Sequence, residues 1–505
     1  MIHRFDVVVV GSGAGGGACA HALVQAGLDV CLLEEGQRVP RQDQTTRPSE
    51  MVSKLYRGAG ATTILGRPNI QYVEGRTVGG STLINGGMCW RTPEGVLQRW
   101  VERLADPSLA PEAMTPLFEE VERENGVALQ DPESLGLDNL AFRDAALALG
   151  WSLRENRRNQ RHCAGTNHCI LGCPTGAKQS TLESYIPRFE AAGGTLLAST
   201  RALSLQRFGG KVGGVFVTAA EGGRRSLIEA RAVVLCAGST YTPMLLWNSG
   251  LQNPHLGRHL HLHPTLKTIG LYDRPMVMWK GVHQSHQVTE FIEKEGILLA
   301  SGSVPPSILA MGVPGFGREH AELMAQYDKM LVIGAMVEDT TTGRIRRLFG
   351  HPIPTYFLTQ LDLVRIKRAL DLTLTMHRAA GARKVLLPLH HLPVVDLDEG
   401  PSLLAAHEID PSEIELMTVH LMGTCRMGRD RHEGVVDSRG KVFGYGNLFV
   451  ADASVFPTHL GVNPMETIWV LARRTANRIL EHREEILGVG RSVPRRSSTS
   501  DKKKH

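Results

Sequence analysis

The stretch FDVVVVGSGAGGGACAHALVQAGLDVCLLEEG, residues 5 to 36, leaves little choice of fold. A short β-branched run, a glycine turn, an Ala-rich helical run and a second apolar strand closing on Glu34 make a βαβ unit. Gly11, Gly13 and Gly16 supply GxGxxG at the strand-to-helix turn. The first permits the tight turn, the second lets backbone approach a pyrophosphate, and the third lets the helix pack close to the strand. The helix N-terminus then offers its free N–H groups to the phosphates. Glu34, 23 residues after Gly11, is placed to accept from a ribose 2′-OH, with Glu35 beside it. Glycines alone could mark a ligand-free turn, but both flanking strands and the acid in register favour a dinucleotide, NAD or FAD.

A chain of 505 residues suits two domains better than one. Hydrophobic residues at 42% and charged residues at 21% are ordinary for a globular protein with a large core. The formal charge of +5 is not a nucleic-acid footprint, because Arg491 to His505 holds six Lys or Arg against one Asp and the body is neutral. Residues 488–505 therefore read as a basic, solvated, disordered tail, whose natural contacts are acidic lipid or a partner protein. No charged leader precedes Phe5 and no apolar run reaches membrane-spanning length, which predicts a cytoplasmic protein. Peripheral membrane attachment and export with a partner subunit remain open alternatives.

A second glycine-rich loop, GRTVGGSTLINGGMCWRTP at residues 75 to 93, has little helical or strand periodicity. Such a loop suits close approach of backbone to a large ligand, and Leu83, Ile84 and Trp90 argue against an exposed Ω-loop. Residues 100 to 190 read as helical and polar. Strands return between 195 and 240 and end in ARAVVLCAGSTYTP, another turn fit to lie against a cofactor. The expected architecture is α/β, a Rossmann-like nucleotide domain (1–100, 190–264, 416–487) interleaved with an α+β substrate-binding cap (101–189, 265–415).

Near the C-terminus, TVHLMGTCRMG places His420 five residues before Cys425. A lone pair makes no closed metal site, so Cys425 is read as packed. In NLFVADASVFPTHLGVNPMETIWVLARRTANRIL the spacing predicts a helix with Asn463 as N-cap, Pro464 at its first position and an apolar face from Ile468 to Ile479. Cys163, Cys169 and Cys173 form a C-x5-C-x3-C-P pattern. Two readings stand for it: thiolate ligands of an iron-sulfur cluster, or a Cys-Gly turn packed under the cap.

The βαβ unit together with GRTVGGSTLINGG, HLMGTCRMG and VADASVFPTHLGVNPMETI resembles the glucose-methanol-choline oxidoreductases. The resemblance implies FAD rather than NAD, and a catalytic pair formed here by His420 and Asn463, 43 residues apart. It also implies cofactor contacts from Gly11, Gly13, Ala14, Gly16, Glu34, Glu35, Val78, Gly80, Ser81, Asn85, Gly86, Gly87, Ala202, Ala237, Asp452, Ala453, Asn463 and Pro464. Narrower motifs, including CAGTNHCILGCPTGAKQSTLESYIP, AGSTYTPMLLWNSGLQNPHLGRHLHLHP and GHPIPTYFLTQLDLVRIKRAL, are similar to the long-chain alcohol oxidase and dehydrogenase branch. One departure is visible: Leu262 and His263 stand where much of the family has an Asp-His pair.

Oxidising an alcohol removes a hydride from carbon and a proton from oxygen. A hydroxyl with a pKa of about 15.7 does not ionise unaided, whereas an imidazole near 6.5 serves as base and contributes roughly 10²- to 10⁴-fold. His420 is the expected base and Asn463 the group that fixes the hydroxyl. The implied function is FAD-dependent oxidation of a lipophilic or long-chain alcohol, with oxygen, a quinone or a cytochrome as acceptor. Aromatic residues at 5% offer no sugar-stacking cage. Two alternatives are carried with it. One is a sugar or polyol dehydrogenase in which the cysteine motif holds an iron-sulfur cluster feeding a cytochrome. The other is a non-redox, FAD-containing lyase.

Overall fold

The computed structural model describes residues 4–488, so the basic tail expected over 488–505 lies, apart from its first residue, outside the described residues. Two sheets organise the chain. The first runs in the order 195–197, 30–33, 4–10, 226–235, 211–219, 200–208. Its centre is parallel, with Val7 aligned on both Val30 and Ala232. The run Val7–Val10 is buried throughout, as expected of a parallel strand covered on both faces. Strand 226–235 changes neighbour along its length: Ser226 to Glu229 pair antiparallel with 214–217, while Val233 to Leu235 pair parallel with 448–450. The C-terminal part of the chain thereby re-enters the nucleotide sheet.

Helix Ala14–Gln25 packs on this sheet and against the closing helix Met465–Glu481. The approach leaves no room for side chains. A Cβ on Gly16 would stand 1.7 Å from the Gly11 carbonyl oxygen, and one on Gly15 1.8 Å from that of Ala451.

The second sheet has ten strands, with the main order 62–64, 70–72, 416–418, 265–271, 330–337, 297–302, 286–288, 153–155. Helix Gln360–Ala379 covers one face: Leu266, Leu299, Ile333 and Ala335 share a core with Ile366, Ala369 and Leu370. That helix starts at Thr359, whose Oγ1 accepts the Asp362 N–H at 3.1 Å while the Asp362 carboxylate accepts the Thr359 N–H at 2.7 Å, a capping box.

The strand assignment departs from the expected boundaries at three places. Strands 62–64, 70–72 and 416–418 lie in segments assigned above to the nucleotide domain, yet hydrogen-bond into the second sheet. Met417 pairs with Thr265 and Leu416 with Ile70. The chain therefore crosses to the second sheet just before His420, and the catalytic candidate sits at the seam.

Candidate active site

At the nucleotide turn, the two glycine loops meet backbone to backbone. Gly80 adopts φ +52°, and a Cβ there would stand 2.8 Å from Gly13 Cα. Gly79 N–H donates to Ser12 Oγ at 3.0 Å, and Ser12 Oγ donates to Glu34 Oε2 at 2.7 Å. Glu34 also accepts the backbone N–H of Ser12 (3.0 Å) and of Gly36 (2.8 Å). A carboxylate offers about four acceptor positions, so one remains for a ribose hydroxyl. Burial raises the pKa of Glu34, and these hydrogen bonds oppose that shift. Glu35 is differently placed: Arg57 lies 3.0 Å, Arg76 3.3 Å and Arg201 3.8 Å from its carboxylate.

The remaining cofactor candidates frame the same region. Val78 is fully buried; Ser81 Oγ accepts the Gly75 N–H at 3.0 Å, and Ala202 lies in strand 200–208. Ala237 begins helix Gly238–Asn248, and the Asp452 carboxylate accepts from Gly238 N–H (2.9 Å), Thr242 Oγ1 (2.6 Å) and Ser454 N–H (2.9 Å). The Ala453 carbonyl accepts the Gly423 N–H at 3.0 Å. Asn85 Nδ2 reaches Met465 Sδ at 3.0 Å, its Oδ1 accepts the Gly87 N–H at 3.0 Å, and Gly86 abuts His283 and Gln284. Glycine turns without Cβ atoms, a ribose acceptor and a helix N-terminus behind them form a donor set and a cradle that fit a dinucleotide.

Lys178 clamps this loop and was not singled out from the sequence. Its ammonium donates to the carbonyls of Leu83 (2.8 Å), Asn85 (2.9 Å) and Cys169. The last contact ties the glycine loop to the cysteine motif. There, the cluster reading fails. Among the described residues no group of three or more His, Cys, Asp or Glu is arranged to hold a metal ion. Cys169 Sγ instead accepts from Arg158 Nη2 at 3.3 Å. Cys173 Sγ accepts the Lys178 N–H at 3.4 Å and faces Thr175 Oγ1 at 3.3 Å, and burial raises the Cys163 thiol.

The two candidate catalytic residues lie against each other. Asn463 Nδ2 and His420 Nε2 are 3.2 Å apart. The closing helix begins at Met465 with Pro464 as its N-cap and no side-chain cap, one residue later than expected. The Asn463 carboxamide is thus free of capping and also lies 3.5 Å from Gln287 Nε2, through its Oδ1. His420 is held by the turn that follows it: Met422 exchanges backbone hydrogen bonds with His261 at 2.9 and 3.1 Å. Gly423 is left-handed, and a Cβ there would stand 2.3 Å from the His259 carbonyl.

Those bonds bring His263 to His420, Nδ1 to Nδ1 at 3.0 Å. The Gly461 N–H donates to His263 Nε2 at 3.2 Å. A backbone N–H and the Asn463 amide nitrogen can only donate, so the Gly461 contact calls for the shared proton on His263 Nδ1 and the Asn463 contact calls for it on His420 Nδ1; with both rings neutral, one of the two contacts is satisfied at a time. Accepting a proton at Nε2 requires the second arrangement, with His263 Nε2 protonated and the Gly461 contact opened. Burial lowers the pKa of His420 from 6.5 to about 4. It holds His263 well below 6.5, with His420, His459 and His261 adding to the shift. Both rings are neutral at physiological pH. His263 entered the sequence reading only as a departure beside Leu262; the spacing of HLHLHP was the available signal.

The GMC oxidoreductase N-terminal and C-terminal family models match residues 52–265 and 341–472, and an FAD-binding domain model matches residues 6–43. The chain is 35% identical to an uncharacterized GMC-type oxidoreductase of Mycobacterium tuberculosis, over 97% of this chain and 77% of that one. It is 29% identical to a long-chain-alcohol oxidase of Arabidopsis thaliana, over 95% of this chain and 67% of that protein. A crystal structure of pyridoxine 4-oxidase from Mesorbium loti shares the fold, with TM-score 0.75 and 20% identity over 95% of this chain and 100% of that one. The chain belongs to the GMC oxidoreductase family of FAD-binding flavoproteins.

Proposed function

We propose that this protein oxidises a lipophilic alcohol to the aldehyde or ketone, with His420 as the base and Asn463 as the group that orients the hydroxyl. One observation carries the reading: two polar side chains, 43 residues apart in sequence, converge to 3.2 Å at the seam of the two sheets. The residues around Gly11, Gly80 and Glu34 would hold FAD, which when bound supplies a hydride acceptor. The protein's part is proton management and aim. His420 in its Nδ1-protonated tautomer takes the hydroxyl proton at Nε2 as the C–H bond breaks and C=O forms. Asn463 holds the oxygen, and Gln287 holds Asn463. Desolvation keeps the imidazole unprotonated, so the base is available without prior deprotonation. Apolar residues beside it suit a hydrocarbon substrate: Val419 is exposed, and Met417 and Leu421 are partly so. The plant relative named for long-chain alcohols supports the same substrate class. Oxygen, or a quinone or cytochrome carrier, then takes the electrons.

The test is anaerobic mixing of holoprotein with fatty, aromatic, sterol and sugar alcohols, read as loss of oxidised-flavin absorbance. Bleaching by fatty alcohols is expected. A flavin left oxidised by every alcohol, with cleavage of a cyanohydrin instead, would replace this proposal with the lyase reading.

A further inference from the structure

Lys267 is out of place. It lies within the strand Thr265–Leu271, where Leu266, Ile269, Gly270 and Leu271 are buried. Its ammonium makes no hydrogen bond or ion pair among the described residues, and no carboxylate acts on it. Protein surrounds it closely enough that desolvation alone lowers its pKa from 10.5 to about 8, yet its side chain is exposed. A side chain both surrounded by protein and open to water suits a cleft rather than a flat surface.

The sheet register gives its face. Lys267 aligns with Gly334, Gly334 with Ala300, and Ala300 with Gln287. Aligned residues share a face, so Lys267 stands on the face of Gln287, opposite the helix that covers Leu266 and Ile333. Gln287 touches Asn463, and Asn463 touches His420. Between the lysine and the glutamine lie only Gly334 and Ala300. A Cβ on Gly334 would meet nothing closer than 3.7 Å, so the floor between them is low. Three strand spacings separate the Cα atoms of Lys267 and Gln287, about 14 Å.

We infer that Lys267 is a specificity residue that binds a carboxylate on the substrate, so that the preferred substrate is a hydroxy acid whose hydroxyl and carboxylate are separated by several methylenes. This rests on the alcohol-oxidation reading for the hydroxyl end only. A single ammonium matches one negative charge. A phosphate monoester carries about −1.5 to −2 and would be left undercompensated. The span between the two ends excludes short 2-hydroxy acids. In a partly desolvated setting a bound carboxylate gives the unpaired ammonium a charge-assisted hydrogen bond.

The experiment uses holoprotein and matched pairs of ligands. Anaerobic flavin reduction is measured with ω-hydroxy acids, the corresponding 1-alkanols and ω-hydroxyalkyl phosphates. Alkanoates lacking a hydroxyl are titrated calorimetrically. For wild type, the hydroxy acid is preferred over its alkanol, and the alkanoate binds. In Lys267→Met, both the preference and alkanoate affinity fall roughly 10- to 100-fold. Lys267→Arg retains most of each, and FAD content reports folding of both variants. Equal handling of acid and alkanol by wild type, preference for the phosphate, or alkanoate binding that Lys267→Met leaves intact would each overturn the inference. If no alcohol bleaches the flavin but alkanoate binding still depends on Lys267, the oxidation reading fails and the anion site stands.

Discussion

Between Gly13 and Gly80 the protein brings two backbones together too closely for a side chain, whereas between Lys267 and Gln287 it lays the small residues Gly334 and Ala300 with no such clash. The nucleotide end is specified by atoms that are missing. The proposed substrate end depends on a few side chains set far apart on one sheet. The first arrangement tolerates no substitution, and the second invites it. That difference lets one scaffold keep its cofactor while its substrate changes.

Paired substitutions put this contrast at risk most severely. Gly16→Val places a branched side chain where even a Cβ would lie 1.7 Å from the Gly11 oxygen. It should yield no FAD-loaded protein, scored by flavin absorbance per protein and by thermal melting. Gly334→Ala has no comparable clash and should purify with a full complement of FAD, with a narrowed preference for bulky alcohols. Equal damage from both would remove the distinction.

Next in size are losses confined to the chemistry. His420→Ala should slow flavin reduction by roughly 10²- to 10⁴-fold while FAD stays bound, because no described hydrogen bond of His420 reaches the glycine loops. Asn463→Ala should cost less, on the order of 10²-fold. The carboxamide aims the hydroxyl and takes no proton. Stopped-flow reduction under anaerobic conditions measures both, and unchanged rates for either would dissolve the site.

The contrast also explains what could be read without coordinates. Glycine spacing reports backbone proximity directly, so the first βαβ unit and the second glycine loop were legible from composition and order alone. The His420 and Asn463 pairing was legible only through resemblance, since nothing local says that residues 43 positions apart will touch. Strand 416–418 was misplaced because three residues of LMT carry no partner information; its neighbours at Ile70 and Thr265 are distant in sequence. The cysteine spacing misled, since a ligand set depends on which other side chains arrive, and Arg158 arrived. Lys267 could have been caught, as the one charge in the strand TLKTIGL, but its face depended on register. The start of the closing helix shifted by one residue, which decided whether Asn463 capped it or faced His420.

The smallest expected effect is a flat response to pH, and it probes the enclosure of the substrate end. Desolvation places His420 at about 4, below its unfolded value of 6.5. The active form is the neutral ring, so the rate of flavin reduction should hold steady from about pH 8 to about pH 5, then fall as pH drops through about 4. Stability behaves differently over the same range. Below 6.5 the unfolded chain binds a proton at this histidine that the folded chain refuses, so stability is complete above 6.5 and declines as pH falls, by about 1.4 kcal/mol per unit per such group. His377, held near 3 by burial and bonded to Tyr272 and Thr268, adds to that decline without touching the chemistry. Reduction rates normalised to the surviving flavin-loaded protein separate the two. A normalised rate that halves near pH 6.5 would show His420 open to water, and the substrate end would then not be the enclosed cleft that suits Lys267.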